Sequence, residues 1–197
     1  MYALGMDTSH QFLVIALLKE GRVIDSLQLA CFKHQSEYLV PEVQKMLERN
    51  CLEVKDIEDW IVTRGPGSYT GVRIAMTMAK VVGSLEKKNI YTLSTLQLYA
   101  GKRDCFVIMD ARAKRAYIGR YRDGEALMAD TVYPLTQVAE IMEKGDVEFM
   151  GDLHLFGKED DYGDIAANFA LLKDRWEKVE NPDLLVPSYL KSNEDYL

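Results

Sequence analysis

Residues 2–21 read YALGMDTSHQFLVIALLKEG, and residues 105–124 read CFVIMDARAKRAYIGRYRDG. Laid over one another without a gap, at an offset of 103 positions, they put Met6-Asp7 on Met109-Asp110, Ile15 on Ile118 and Ala16 on Gly119. The turn Lys19-Glu20-Gly21 falls on Arg122-Asp123-Gly124. Identity at a few positions carries little; matched turn chemistry at matched spacing carries more. In the first copy Tyr2–Met6 is a short apolar strand, Asp7-Thr8-Ser9-His10 a turn cluster, and Phe12–Leu18 a second, aliphatic strand. Glu20-Gly21 turns the chain into Val23–Leu29, where apolar and polar residues alternate. The second copy predicts strands over Phe106–Met109, Tyr117–Arg122 and Ala126–Tyr133.

Each meander is followed by helical periodicity. Ser36–Arg49 carries Leu39, Val43, Met46 and Leu47 at helical spacing, with Pro41 tolerable in the first turns. Trp60–Thr63 reads as a buried strand, and a helix is expected over Tyr69–Glu86. After the second meander come a helix at Thr136–Glu143, a strand at Glu148–Met150 and a helix at Ile165–Lys173, then a tail marked by Pro182 and Pro187. Two β-β-β-α-β-α lobes in tandem, about 1–103 and a smaller 104–197, point to the α/β architecture of actin, sugar kinases and Hsp70. There the ligand cleft lies between lobes, and an Asp after the first strand of each lobe can face it. Asp7 and Asp110 hold those places.

Composition narrows the function. With 24 basic and 31 acidic side chains the formal charge is −7, and residues 101–197 carry the whole excess. An acidic chain repels phosphate backbones, which disfavours a stand-alone nucleic-acid binder. Arg112, Lys114, Arg115, Arg120 and Arg122 form a local basic run, read first as a solvated hairpin face and second as a docking patch for an acidic or RNA partner. The longest stretch free of charged residues, Asn89–Gly101, has 13 residues, too short for a membrane span. No signal peptide is visible, and Cys31, Cys51 and Cys105 are scattered, which fits a reducing cytoplasm.

Arg64-Gly65-Pro66-Gly67-Ser68-Tyr69-Thr70-Gly71 lies between a strand and a helix, as a phosphate cradle would. It lacks the lysine of a P-loop, has Thr70 where a dinucleotide fingerprint needs glycine, and loses a backbone donor at Pro66. A nucleophile elbow fails too, because Pro66 and Thr70 flank Ser68. The loop is therefore expected to be structural, with Ser68 as helix N-cap. Behind it, Gly71, Ala75, Ala79 and Gly83 form a strip of small residues on one helix face, suited either to the protein's own sheet or to a partner helix. His10, His34 and His154 show no metal-ligand spacing, so neither a metal nor any other cofactor is expected.

These residues also carry a family resemblance. Arg64–Ile74, Gly5-Met6-Asp7-Thr8-Ser9, His34–Val43, Leu93-Ser94-Thr95-Leu96, Met109-Asp110-Ala111-Arg112 and Pro187-Ser188-Tyr189-Leu190 resemble landmarks of the TsaB (YeaZ) family. The resemblance implies a non-catalytic subunit of the bacterial machinery that makes threonylcarbamoyladenosine beside the tRNA anticodon. It implies pairing with TsaD, a catalytic paralogue of the same fold, and with the ATPase TsaE, with tRNA met only within that complex. TsaD carries a metal-binding His-x-Glu-x-His where this chain has Thr95-Leu96-Gln97-Leu98-Tyr99. Both histidines are absent, and neither Thr95 nor Gln97 is a good iron or zinc ligand.

The partner surface is expected on the two first-lobe helices. One contributes Tyr38, Leu39 and Met46; the other contributes Gly71, Ala75, Ala79 and Gly83, or Met76, Met78 and Val82 if the small strip faces the sheet. Two copies are expected to pair through the same surface when TsaD is absent. The rival reading is a weak actin-like nucleotide hydrolase using Asp7, Thr8, Ser9 and Asp110. A peptidase has no nucleophile–base pair behind it.

Overall fold

The computed structural model describes residues 1–145 and 147–190. Strands β1 (Tyr2–Asp7), β2 (Phe12–Lys19) and β3 (Arg22–Ala30) form the expected meander. Helix α1 (Gln35–Arg49) leads to β4 (Ile57–Thr63), which starts three residues before the Trp60 expected from its apolar run. Helix α2 (Tyr69–Leu85), β5 (Asn89–Leu93) and the short α3 (Thr95–Ala100) complete this half. The second half has β6 (Cys105–Asp110), β7 (Arg115–Arg122), β8 (Glu125–Pro134), α4 (Leu135–Lys144), β9 (Glu148–Gly151), α5 (Ile165–Leu171) and the short β10 (Glu177–Lys178).

Two sheets result, ordered β10-β5-β4-β1-β2-β3 and β8-β7-β6-β9. β1 pairs antiparallel with β2 and parallel with β4; β6 pairs antiparallel with β7 and parallel with β9. Tyr2–Met6 and Phe106–Met109 are thus equivalent central strands, and the protein is a pair of actin-like α/β lobes. Leu13–Leu18 of β2 are all buried because both faces of the sheet are covered, which is why that strand reads as an unbroken apolar run. Leu13, Ile15 and Leu17 pack under α1 and α2, whereas Val14, Ala16 and Leu18 face a core shared with the second sheet.

The second half departs from the first at its end. α2 lies on the outer face of the first sheet, in the core of Leu4, Trp60 and Val62. Its expected counterpart α5 instead packs between the sheets, against β2, β3 and α3, with Phe169 over Gly5. The chain beyond it also returns to the first sheet: β10 pairs with β5, and a 3₁₀ turn at Pro182–Leu184 packs on α2.

The expected partner-facing side chains need correction. Gly71, Ala75, Ala79 and Gly83 are buried under α2, where a Cβ on Gly83 would meet Ile90 at 2.8 Å. Met76 and Val82 are buried as well, and so are Leu39 and Met46 of α1. The small strip brings α2 close onto its own sheet, and the apolar stripe of α1 does the same. Of the expected set, Tyr38 is exposed and Met78 half-buried.

Candidate functional site

The glycine-rich loop, the β1–β2 turn and the C-terminal tail meet at the start of α2. Ser68 caps that helix as expected, its Oγ accepting from the Gly71 N–H at 3.2 Å. The Thr8 hydroxyl donates to the Gly71 carbonyl at 2.6 Å and accepts from the Ala75 N–H at 3.1 Å. The Ser68 N–H donates to the Ser9 carbonyl at 2.7 Å. A Cβ at Gly67 would lie 2.5 Å from the Ser9 carbonyl oxygen, and one at Gly71 would strike that of Thr8, so glycine is required at both. On the other side, the Ser188 N–H donates to the Arg64 carbonyl at 2.7 Å, beside Gly65 and Pro66, and the Arg64 guanidinium pairs with Glu177. Arg73 donates to the Tyr189 hydroxyl at 2.8 Å, and Tyr69 stacks on Tyr189.

Of the two aspartates expected to face the interlobe cleft, one does. Asp7 and Thr8 are wholly buried, and Asp7 accepts from the Ser9 N–H at 3.1 Å, the Thr63 hydroxyl at 2.5 Å and the Tyr99 hydroxyl at 3.3 Å. Burial, reinforced by the Asp7 charge, pushes the Tyr99 phenol well above its ordinary range. Asp110 does line the interlobe cleft, a cavity of about 820 Å³, where it accepts from the Arg112 N–H at 2.7 Å and the Arg112 guanidinium at 2.9 Å. The expected pair of carboxylates facing one cleft is thereby reduced to one, because the first is enclosed by Thr63 and by Tyr99 of α3.

Behind Asp110 the cleft floor holds a group that spacing alone did not reveal. Asp152 accepts from His10 Nε2 at 3.0 Å, from the Asp110 N–H at 2.6 Å and from the Tyr162 hydroxyl. Burial would raise the Asp152 carboxyl, but these bonds, His10 foremost, hold it below the ordinary carboxylate value. His154 Nδ1 lies 2.9 Å from Asp160 Oδ1, and Asp152, His154 and Asp160 converge. The signal was the run Asp152-Leu153-His154 with Asp160 six residues on, which matches no standard ligand spacing. Ser9 is wholly buried and lines the same cleft, yet among the described residues its Oγ has no hydrogen-bond partner, and His10 Nδ1 has none either. Ser9 and His10 therefore form no nucleophile–base pair. Burial pushes the Cys105 thiol up to about 11, away from thiolate chemistry.

Arg112 pairs with Asp110, while Arg120 and Arg122 both pair with Asp104. Their charge is largely answered within the chain; Arg122 and Arg112 lie on the solvated face expected of the run, whereas Arg120 is buried. The stretch Thr95-Leu96-Gln97-Leu98-Tyr99 is used for packing. Thr95 and Tyr99 are buried, Tyr99 reaches Asp7, and Gln97 donates to the Gly124 carbonyl at 2.9 Å.

Comparison with known proteins places this geometry. A model of the family "TsaD: tRNA N6-adenosine threonylcarbamoyltransferase" matches residues 29–154. The Bacillus subtilis tRNA threonylcarbamoyladenosine biosynthesis protein TsaB is 33% identical over 162 residues, 77% of this chain and 71% of its own length. The chain belongs to the TsaB (YeaZ) family. The protein of that name from Buchnera aphidicola (subspecies Schizaphis graminum) is 26% identical over 153 residues, 72% of either chain. The fold is shared with a crystal structure of a Pseudomonas aeruginosa protein described as similar to peptidase YEAZ. That likeness has a TM-score of 0.78 at 22% identity, covering 96% of this chain and 99% of the other. Among the described residues of this TsaB-family chain, no helix is long and apolar enough to cross a membrane.

Proposed function

We propose that this chain serves tRNA threonylcarbamoyladenosine formation in the cytoplasm as a non-catalytic subunit. It pairs with a TsaD-like catalytic paralogue, and a TsaE-like ATPase joins the pair. It meets tRNA only inside that complex, in keeping with its charge of −7. The observation that carries the reading is the outer face of α1 and α2, which pack against one another on the side away from the second sheet. Tyr38 is 41% exposed, Val40 58%, Val81 51% and Leu85 74%, with Ile74 and Met78 half-buried. Large apolar side chains grouped on adjacent helices favour docking against another helix pair, and a paralogue of the same fold offers one. Two copies of this chain pair through the same face when the paralogue is absent. The sealed Asp7, the packing role of Thr95 and Tyr99 and the lack of a Ser9–His10 hydrogen bond among the described residues support the absence of chemistry in this chain.

Replacing Val81 and Leu85 with Glu tests the surface, since both side chains already face water and the fold tolerates them. Sedimentation of the variant with and without the catalytic paralogue is expected to give a monomer, and about tenfold or greater weakening of the hetero-pair. Wild-type pairing by a folded variant would place the interface elsewhere.

A further inference from the structure

The pairing function leaves the floor of the interlobe cleft unused. Asp152, His154 and Asp160 each present one ligand atom there, all within 4.8 Å of one another. Three such atoms leave some point within about 2.8 Å of all of them, close to the ~2.0–2.6 Å of metal–ligand bonds. The backbone fixes their approach. β9 ends at Gly151, a 3₁₀ turn over Leu153–Phe156 carries His154, and the Gly151 N–H donates to the Asp161 carbonyl at 2.6 Å, which brings Asp160 back alongside. The Asp160 carboxylate is held by the His154 N–H at 2.8 Å and by the Tyr162 hydroxyl at 3.3 Å. Asp152 is held by His10 and Tyr162. Bonds of this kind orient ligand carboxylates in known metal sites.

A separate observation points to something bound in the same cleft. The Ser9 hydroxyl, on the first-lobe wall, is wholly buried and has no hydrogen-bond partner among the described residues. A buried hydroxyl left so costs about 1–3 kcal/mol, and such groups are ordinarily satisfied by water or a ligand. The neighbouring residue, His10, ties that wall directly to Asp152.

We propose that Asp152, His154 and Asp160 hold one divalent cation of the Mn²⁺ or Zn²⁺ class. The donor set is two carboxylates and an imidazole, without thiolate. An all-oxygen cage would favour Mg²⁺ or Ca²⁺, and the imidazole shifts preference toward first-row transition ions. Three carboxylates, Asp110, Asp152 and Asp160, border one cleft. Three protein ligands leave coordination positions open to the cleft, where water or a small anionic ligand could enter. Because Asp152 also accepts from first-lobe His10, the ion would bear on how the lobes meet.

The test uses the full chain stripped of metal by a chelator, with Mn²⁺ as probe and the free-ion electron paramagnetic resonance signal as readout. Mn²⁺ also avoids capture by the exposed Cys51 thiol. One Mn²⁺ per chain is expected, displaced by Zn²⁺. Uptake should be lost in His154→Ala and in Asp160→Asn, weakened about tenfold in His10→Asn, and unchanged in Asp123→Asn, a remote exposed acid. Asp152 also bonds His10, Tyr162 and the Asp110 N–H, so its substitution would confound lost metal with lost hydrogen bonds, and the two more exposed ligands decide the matter. Absence of stoichiometric uptake, or uptake that survives both substitutions, overturns the proposal. This readout does not depend on partner binding, so its failure would leave the pairing function standing.

Discussion

At the end of β1, the Asp7 carboxylate accepts from the N–H two residues on, Ser9, at 3.1 Å; at the end of β6, Asp110 accepts from the N–H two residues on, Arg112, at 2.7 Å. The local turn chemistry is the same. The surroundings are opposite. Asp7 is wholly buried, and the residues after it clasp α2 through Thr8 and Ser9. Asp110 opens onto the cleft, and Arg112, Ala113 and Lys114 after it stand at φ 64°, 51° and 57°, left-handed without a glycine. Among the described residues the second sheet has no helix in the place of α2, because α5 lies between the sheets. A duplicated turn has thus kept its hydrogen bond while one copy became a clasp and the other a cleft wall.

The comparison breaks most readily at the clasp. Gly71→Val should cost about 3 kcal/mol in denaturant unfolding, since its Cβ collides with the Thr8 carbonyl and the helix must move. Thr8→Val removes a buried donor and acceptor at once and should cost about 2 kcal/mol. A variant as stable as wild type would show that α2 does not depend on the turn. A smaller effect is expected at Asp152, where burial offsets much of what its hydrogen bonds contribute. Its folded carboxyl lies below the ordinary 3.8, so its stabilisation is complete above that value and fades as pH falls below it. The acid limb of a stability–pH curve should therefore flatten in Asp152→Asn. In the second-lobe turn Ala113→Gly should stabilise by about 1 kcal/mol by removing left-handed strain. Arg112→Ala, whose side chain is 70% exposed, should change unfolding by less than about 0.5 kcal/mol.

Much of this fold was legible because it is local or periodic. The unbroken run Leu13–Leu18 announced a strand covered on both faces, and Ser68 announced its own cap. The repeat at Met6-Asp7 and Met109-Asp110 located the two central strands. The orientation of helices was less legible. Gly71, Ala75, Ala79 and Gly83 suit any close surface, and only the sheet's proximity decides that they face inward. Asp7 reads as a cleft residue because nothing in its neighbourhood states that Thr63 and Tyr99 will enclose it. β5 and α3 fall in a short stretch of mixed polarity and gave no usable period. The Asp152, His154 and Asp160 group depends on the Gly151–Asp161 bridge, a contact no residue spacing encodes.

On the proposed function, this protein works through the outer face of α1 and α2 and does no chemistry in its cleft. Threonylcarbamoylation of tRNA, reconstituted with the catalytic paralogue and the ATPase, measures both halves at once. The paired substitution Asp7→Asn with Asp110→Asn should preserve the rate within about twofold, since an amide at position 7 can still accept from Ser9 and donate to Tyr99. Val81→Glu with Leu85→Glu should lower it by about tenfold or more. A folded aspartate variant that loses the activity, beside an outer-face variant that keeps it, would contradict the account.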